Sequence, residues 1–261
     1  MATVKDAPVG EVLEIFWMPG CSSCLRMKEF VQRLGIAHHA IDVTAAPEEA
    51  QRLAALGLGV PAAVRGTVGV PGVDLVAVAR LAGVGYEPPE VLKPAELHRR
   101  YGEITTVTAG LIARLGPDAL EYKSPDRDRT MRYLALHAST IMRGFVDAEE
   151  TNVFTDGYEF ISPELAESAT VEQIRAVLDE TRAVFEQWWE HVGFDDPFDR
   201  ILESQWGTWT LHEALERAVW HTTQHTRQLE HFVLDELKLA SSPRLSDELL
   251  AGLPLPQGIH A

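Results

Sequence analysis

Two cysteines three positions apart, set between an apolar run and an amphipathic segment, constrain this chain more than any other feature. Residues 12–17, Val-Leu-Glu-Ile-Phe-Trp, read as a short buried strand. Met18-Pro19-Gly20 is a turn, and Cys21-Ser22-Ser23-Cys24 opens a helical segment that reaches 34. A strand that feeds a helix through a tight turn belongs to an α/β unit. The same order puts the Cys21 sulfur at a helix N-terminus. Unpaired N–H groups and the helix dipole favour a thiolate there, and the thiolate is the reactive form of cysteine. Cys24, one turn on, is placed to close a disulfide with Cys21 or to resolve a mixed disulfide. The chain has 2 cysteines, so its thiol chemistry is confined to this motif.

Strand and helix keep alternating to about residue 85. Residues 37–43 read as a second strand, parallel to the first through a crossover. Thr44 is expected to cap a helix over 47–56 that Gly57 ends. A third strand at 60–64, a short fourth at 68–70 and a helix at 73–81 follow, the last begun by Pro71-Gly72. The carriers Pro19-Gly20-Cys21-Ser22-Ser23-Cys24, Ile41-Asp42-Val43, Gly59-Val60-Pro61 and Gly72-Val73-Asp74 give this stretch a family likeness. Over roughly 11–85 it resembles glutaredoxin and the wider thioredoxin-like fold. The resemblance implies that Cys21 and Cys24 are the catalytic pair and that Pro61 is cis and faces them. It also implies that Val60 offers backbone hydrogen bonds to a bound thiol peptide, with Gly72 and Asp74 completing a thiol- or substrate-binding set. Ser-Ser stands where Pro-Tyr or Pro-Phe is usual between the cysteines. Trp17-Met18 stands where a basic residue commonly precedes the motif.

With 261 residues, 46% of them hydrophobic, the chain suits two domains of ordinary size. The boundary is visible in composition. Segment 84–94 holds Pro88, Pro89 and Pro94, which stiffen it and remove donors. The expected organisation is α/β plus all-α: a thioredoxin-like domain at 1–85, a Pro-rich linker at 86–94, a helical bundle at 95–240 and an extended tail at 241–261. Four amphipathic stretches, about 95–114, 127–147, 171–192 and 209–237, make an antiparallel four-helix bundle the natural arrangement. Thr170-Val171-Glu172-Gln173 has the spacing of a capping box. In the last stretch Leu211, Leu215, Ala218, Thr222, His225, Leu229 and Phe232 recur in steps of three and four, forming an inward seam.

His221 and His225, four apart on that last helix, project from one face and are spaced to share a metal ion. His137 lies on the seam of the second long helix beside Leu134, Ala138 and Ile141. Each alone is as readily a hydrogen-bonded core histidine. With the Trp206-Gly207 lead-in and His221-x-x-x-His225-x-x-Gln228-Leu229, residues 95–240 resemble the DinB/YfiT-like metal-binding helical bundles. That resemblance implies a facial triad of His137, His221 and His225 for a divalent metal, zinc or nickel. Gln224 and Thr226-Arg227 depart from the residues common in that group. His212 is expected at the surface or in a cap, His231 off the triad face, and His38 and His39 on a strand edge. The tryptophans from 188 to 220 are expected as core or pocket wall, and Asp147-Ala148-Glu149-Glu150 as a solvated loop or helix end.

The balance of 39 acidic against 23 basic residues, formal charge −16, disfavours nucleic acid and anionic membranes as partners. Neither a signal peptide nor a transmembrane helix is apparent, so a cytoplasmic location is expected, with oligomeric state open and a homodimer included. The combination implies a two-domain thiol enzyme acting on a small-molecule thiol or disulfide. It would be a thiol–disulfide oxidoreductase or a metal-assisted transferase of a low-molecular-weight thiol. A non-enzymatic redox- or metal-responsive stress protein stays open beside it. So does detoxification of thiophilic metals or electrophiles by the cysteine pair.

Overall fold

Leu13 and Ile15 face one side of strand β1 (Leu13–Trp17) and Phe16 faces the other, and all three are buried. A strand buried on both faces must be covered on both, and the following elements do so. In the computed structural model, which describes residues 12–123, 128–239 and 243–259, the next elements are α1 (Ser22–Arg33), β2 (His38–Asp42) and α2 (Pro47–Ala55). After them come β3 (Ala62–Arg65), β4 (Val68–Pro71) and α3 (Leu75–Ala82). The strands form a mixed sheet in the order β2-β1-β3-β4. β1 and β2 are parallel, with Leu13 opposite His38; β3 runs antiparallel to both β1 and β4. Met27, Phe30 and Val31 of α1 and Leu75, Val78 and Ala79 of α3 pack with Ile15 on one face. Leu53 of α2 packs with Phe16, Ile41 and Val64 on the other.

Two local expectations change here. Thr44 does not cap α2; its N–H and hydroxyl bond the Asp42 carboxylate (2.9 and 2.7 Å), and the cap position falls to Ala46, ahead of Pro47. The third helix begins at Leu75, not 73, because the Asp74 carboxylate accepts from the Ala77 N–H at 2.9 Å and so defines the N-cap. The Val60–Pro61 peptide is cis. Gly72 lies against it, its N–H donating to the Pro61 carbonyl at 2.8 Å.

The chain divides into two compact units, Met1–Glu90 with Pro256–Ala261, and Val91–Leu255. The second contains α4 (Pro94–Ile112), α5 (Pro117–Glu121), α6 (Met131–Thr151), α7 (Pro163–Ser168) and α8 (Val171–Trp188). A hairpin of β5 (Ile201–Ser204) and β6 (Gly207–Thr210) leads into α9 (Leu211–Glu230), and α10 (Asp247–Leu250) follows. Wider-wound π turns extend α8 to Gly193 and α9 to Glu236. The four long helices pack together, α6 against α8 and α9, and α4 against α9 and α8. All seven residues of the α9 seam are buried. α8 starts at the expected capping box, and α9 starts at a second one, Thr210 with Glu213.

The tail is not simply extended. Ser246 caps α10, Leu249 and Leu253 are buried, and the Arg100 guanidinium donates to the carbonyls of Leu249 (3.1 Å) and Ala251. Within the first unit, the N–H groups of Gln257 and Gly258 both donate to the Glu29 carboxylate, at 2.6 and 2.7 Å. The N-terminal residues read for a leader, the expected helix start at 127 and the first tail residues 241 and 242 lie outside the described residues. No helix among the described residues is long and apolar enough to cross a membrane.

A Cβ on Gly72 would overlap Met27 Sδ and lie 2.9 Å from Pro61 Cβ. Gly72→Ala is therefore expected to destabilise the first unit by about 1–3 kcal/mol through overpacking. Hydrogen exchange at the β1 and β3 amides in denaturant checks this, and unchanged protection would contradict it.

Candidate functional site

The first candidate site is local in sequence. Cys21 occupies the N-cap of α1 in an extended conformation, and the Cys24 N–H points at its Sγ at 3.1 Å. Cys21 and Cys24 are joined by a disulfide. Cys21 is half-buried while Cys24 is fully buried, so an incoming sulfur has access to the first and not the second. In the dithiol form the same N–H, with the first turn of α1 behind it, favours charge on Cys21. Trp17, which stands near the usual basic position, carries a cation from elsewhere. The Lys28 ammonium lies 3.5 Å from its ring centroid, its pKa lowered by burial and partly restored by Asp42. Pro61 and Gly72 are buried and Val60 is half-buried. Asp74 is exposed, with its carboxylate engaged as the α3 cap.

The second candidate site is assembled from distant segments. His137 on α6 and His221 and His225 on α9 are all buried, and one ring nitrogen from each lies within 4.8 Å of the others. The two α9 rings present Nε2 to Nε2 at 3.0 Å. Their other nitrogens fix the tautomers. His221 Nδ1 faces Asp156 Oδ1 at 3.2 Å, and a carboxylate only accepts, so the proton is on Nδ1. His225 Nδ1 faces Gln228 Oε1 at 2.7 Å, and that amide atom also accepts from Arg129 Nη2 at 3.1 Å. Arginine only donates, so the oxygen is correctly placed and His225 too is protonated on Nδ1. Two Nε2 lone pairs therefore converge. Nitrogens bound at 2.0–2.1 Å to one tetrahedral ion are about 3.3 Å apart, so the separation of the α9 pair suits a shared cation, with a His137 nitrogen within 4.8 Å of both.

The loop after α6 supplies what the helices do not. Asp156 Oδ1 and Oδ2 accept from Arg217 Nε (3.1 Å) and Nη2 (2.8 Å), a pair with both side chains at most 5% exposed. Breaking a buried pair of this kind typically costs about 3–5 kcal/mol. Arg217 in turn lies 4.2, 5.6 and 5.2 Å from the ring centroids of Trp206, Trp209 and Trp220. Tyr158, two residues after Asp156, stacks on the His137 ring with centroids 3.9 Å apart. The loop approaches α6 this closely because Gly157, at φ 75°, sets its Cα against the Thr140 carbonyl, where a Cβ would overlap.

Other histidines are engaged elsewhere. His212 Nε2 bonds the Leu92 carbonyl, His231 pairs with Glu236 and Asp235, and His38 bonds the Ile36 carbonyl. The acidic run at 147–150 is the helix end of the two alternatives, the last turn of α6, and within it Glu149 accepts from Trp188 Nε1 and Arg200 because the helix turns it toward α8. Sequence spacing gave no sign of Asp156, Arg129, Tyr158 or Lys28, and Arg217 was missed with them. Asp156 is a single acid 65 positions from the histidine it touches. Arg217 is the one that helical arithmetic could have found, lying four before His221 on the same face.

Burial lowers the pKa of His221, a shift Asp156 partly opposes. His225 is pushed well down by burial and then by the neighbouring His221, His137 and Arg129. Burial alone would raise Asp156, but Arg217 and His221 overcome it and hold the carboxyl well below the usual range. Depressed histidine pKa values give stability that is present above the unfolded value of about 6.5 and lost as pH falls through the folded one. Metal-free protein should thus unfold at lower urea as pH drops from about 7.5 to about 5, and the loss should shrink in His225→Gln. Equal slopes for the two proteins would mean that His225 titrates normally.

No curated protein and no solved structure matches this chain. The glutaredoxin family model matches residues 13–73. With its Cys21–Cys24 pair, the N-terminal unit contains a glutaredoxin-family domain, and its CxxC motif points to thiol–disulfide redox chemistry.

Proposed function

We propose that this protein is a thiol–disulfide oxidoreductase whose catalytic cysteine is Cys21. The observation that carries this is the geometry at the start of α1, where a half-buried Cys21 Sγ accepts from the Cys24 N–H and is bonded to a buried Cys24. The Cys21 thiolate attacks one sulfur of a substrate disulfide and expels the other half as a thiolate. The Cys24 thiolate then attacks Cys21 Sγ, releases the second half and leaves the Cys21–Cys24 disulfide. Two equivalents of a low-molecular-weight thiol return the pair to the dithiol by the same exchange. Val60 and Pro61 would line the approach, with Gly72 allowing close packing behind them. The chemistry suits a reducing cytoplasm, where such a pair can cycle.

A second activity is supported by the convergence of His137, His221 and His225. The three residues are those the resemblance to DinB-like bundles implies as ligands, and three neutral nitrogens would suit zinc or nickel. A divalent ion held there would lower the pKa of a bound thiol and make it a nucleophile at neutral pH. Asp156 and Gln228 keep both α9 imidazoles in the ligating tautomer. The protein would then be a metal-assisted thiol transferase as well as a reductase, taking a small-molecule thiol as partner.

Iodoacetamide at about pH 6 should label Cys21 of the reduced protein before Cys24, since only a depressed thiol is ionised there. Cys24→Ser should accumulate mixed disulfides with substrate, and Cys21→Ser should lose disulfide turnover altogether. Preferential labelling of Cys24 would reverse the assignment. For the helical unit, elemental analysis of untagged full-length protein should find about one divalent ion per chain, falling at least tenfold in His225→Ala. Equal metal content in His137→Ala, His221→Ala and His225→Ala would make these core histidines.

A further inference from the structure

The ring nitrogens of His221 and His225 that face away from the cluster have partners of different charge. His221 Nδ1 meets the Asp156 carboxylate, whereas His225 Nδ1 meets the Gln228 amide. Both partners are buried and each is held by an arginine, Asp156 by Arg217 and Gln228 by Arg129. An imidazole that donates to a carboxylate carries more electron density on its far nitrogen than one that donates to a neutral amide. The two α9 nitrogens are therefore unequal as donors, although they sit one helical turn apart on the same face.

Arg217 has a second effect. It occupies one lone pair on each Asp156 oxygen, and His221 takes another on Oδ1. The guanidinium is fixed from behind by the indoles of Trp206, Trp209 and Trp220. Trp206 sits at the turn of the β5–β6 hairpin and Trp209 on β6. The hairpin thus acts as the wall that keeps Arg217, and through it Asp156, in place. A carboxylate tied in this way cannot swing past His221 to become a ligand itself.

We propose that Asp156 and Gln228 are positioning residues that make the histidine cluster an asymmetric metal site, with His221 the stronger donor and His225 the weaker, and with Arg217 holding Asp156 outside the coordination sphere. This rests on the metal-site reading of His137, His221 and His225. The weaker donor is the one that Gln228 links to Arg129. Converting the amide to a carboxylate should remove the asymmetry, and Arg129 is already there to receive the charge.

The test is titration of the full-length, metal-free protein with Co2+ alone, reading affinity and the visible absorption of the bound ion. Asp156→Asn should weaken Co2+ binding by about 10–100-fold and shift the absorption bands. Because this change strips a buried guanidinium of its counter-charge and puts the fold at risk, Asp156→Asn with Arg217→Met is the companion variant and should show the same weakening. Gln228→Glu, nearly isosteric, should instead tighten Co2+ by about tenfold and move the bands the opposite way. A role limited to packing would alter unfolding midpoints and leave both readouts unmoved. If the wild type binds Co2+ and Gln228→Glu and the double variant match it within about twofold, the asymmetry is wrong while the metal site stands. If Co2+ is not bound, or is bound equally well by His225→Ala, the metal site itself is wrong and the proposal falls with it.

Discussion

Most of the polar side chains buried along α9 have partners inside the protein, and the arrangement of the helical unit follows from where those partners come from. Fifteen of the twenty α9 residues are buried, including Arg217, His221, Thr222, Thr223, Gln224, His225, Thr226 and Gln228. A helix that is buried nearly all round cannot turn a polar face to water, and each group left without a partner would cost about 1–3 kcal/mol, more for a charge. Asp156 answers Arg217 and His221 from the loop after α6, Arg129 answers Gln228 from just before it, and Thr108 of α4 meets Thr226 at 2.8 Å. These contacts fix the rotation of α9 about its own axis. Apolar packing alone would tolerate a small roll, whereas a carboxylate shared between an arginine and a histidine would not.

The two candidate sites are built in opposite ways. At the cysteines the chemistry arises within four residues, from the dipole and free N–H groups that any helix start provides. The surrounding sheet has only to present that helix start. At the histidines no single segment contains the site. Its rings come from two helices, their tautomers from a loop and from the next turn of α9, and the protection of the ion pair behind them from three tryptophans.

This contrast also explains what could be read from the sequence. The α/β order of the first unit, the start of α8 at Thr170 and the buried seam of α9 all depend on near neighbours and on hydrophobic period, which a sequence displays directly. The grouping of His137 with His221 and His225 came from the resemblance to DinB-like bundles, since spacing alone displays only that His221 and His225 share a helix face and that His137 lies on the seam of another helix. Asp156 was not legible, because a lone acid in a loop has no period and its role exists only once α6 and α9 are side by side. The β5–β6 hairpin was missed for a different reason. Its strands are four residues each, too short for an alternation to stand out, and its turn, Trp206-Gly207, read only as the lead-in to the helical stretch from 209. Thr44 failed as a cap because Pro47 starts α2 with Ala46 at the cap position, two residues past Thr44, whose hydroxyl donates to Asp42 instead.

The pair of N–H groups that Gln257 and Gly258 give to Glu29 joins residues more than two hundred positions apart within one compact unit. In order of synthesis, the sheet and its helices emerge first and the whole helical unit follows before that contact can form. The first unit is thus discontinuous in the chain, with the second held as an insertion between its parts. Folding of the thiol domain is completed only when translation has passed the histidine site, so a ribosome stalled within the helices would carry a redox domain whose Glu29 still lacks its final pair of donors.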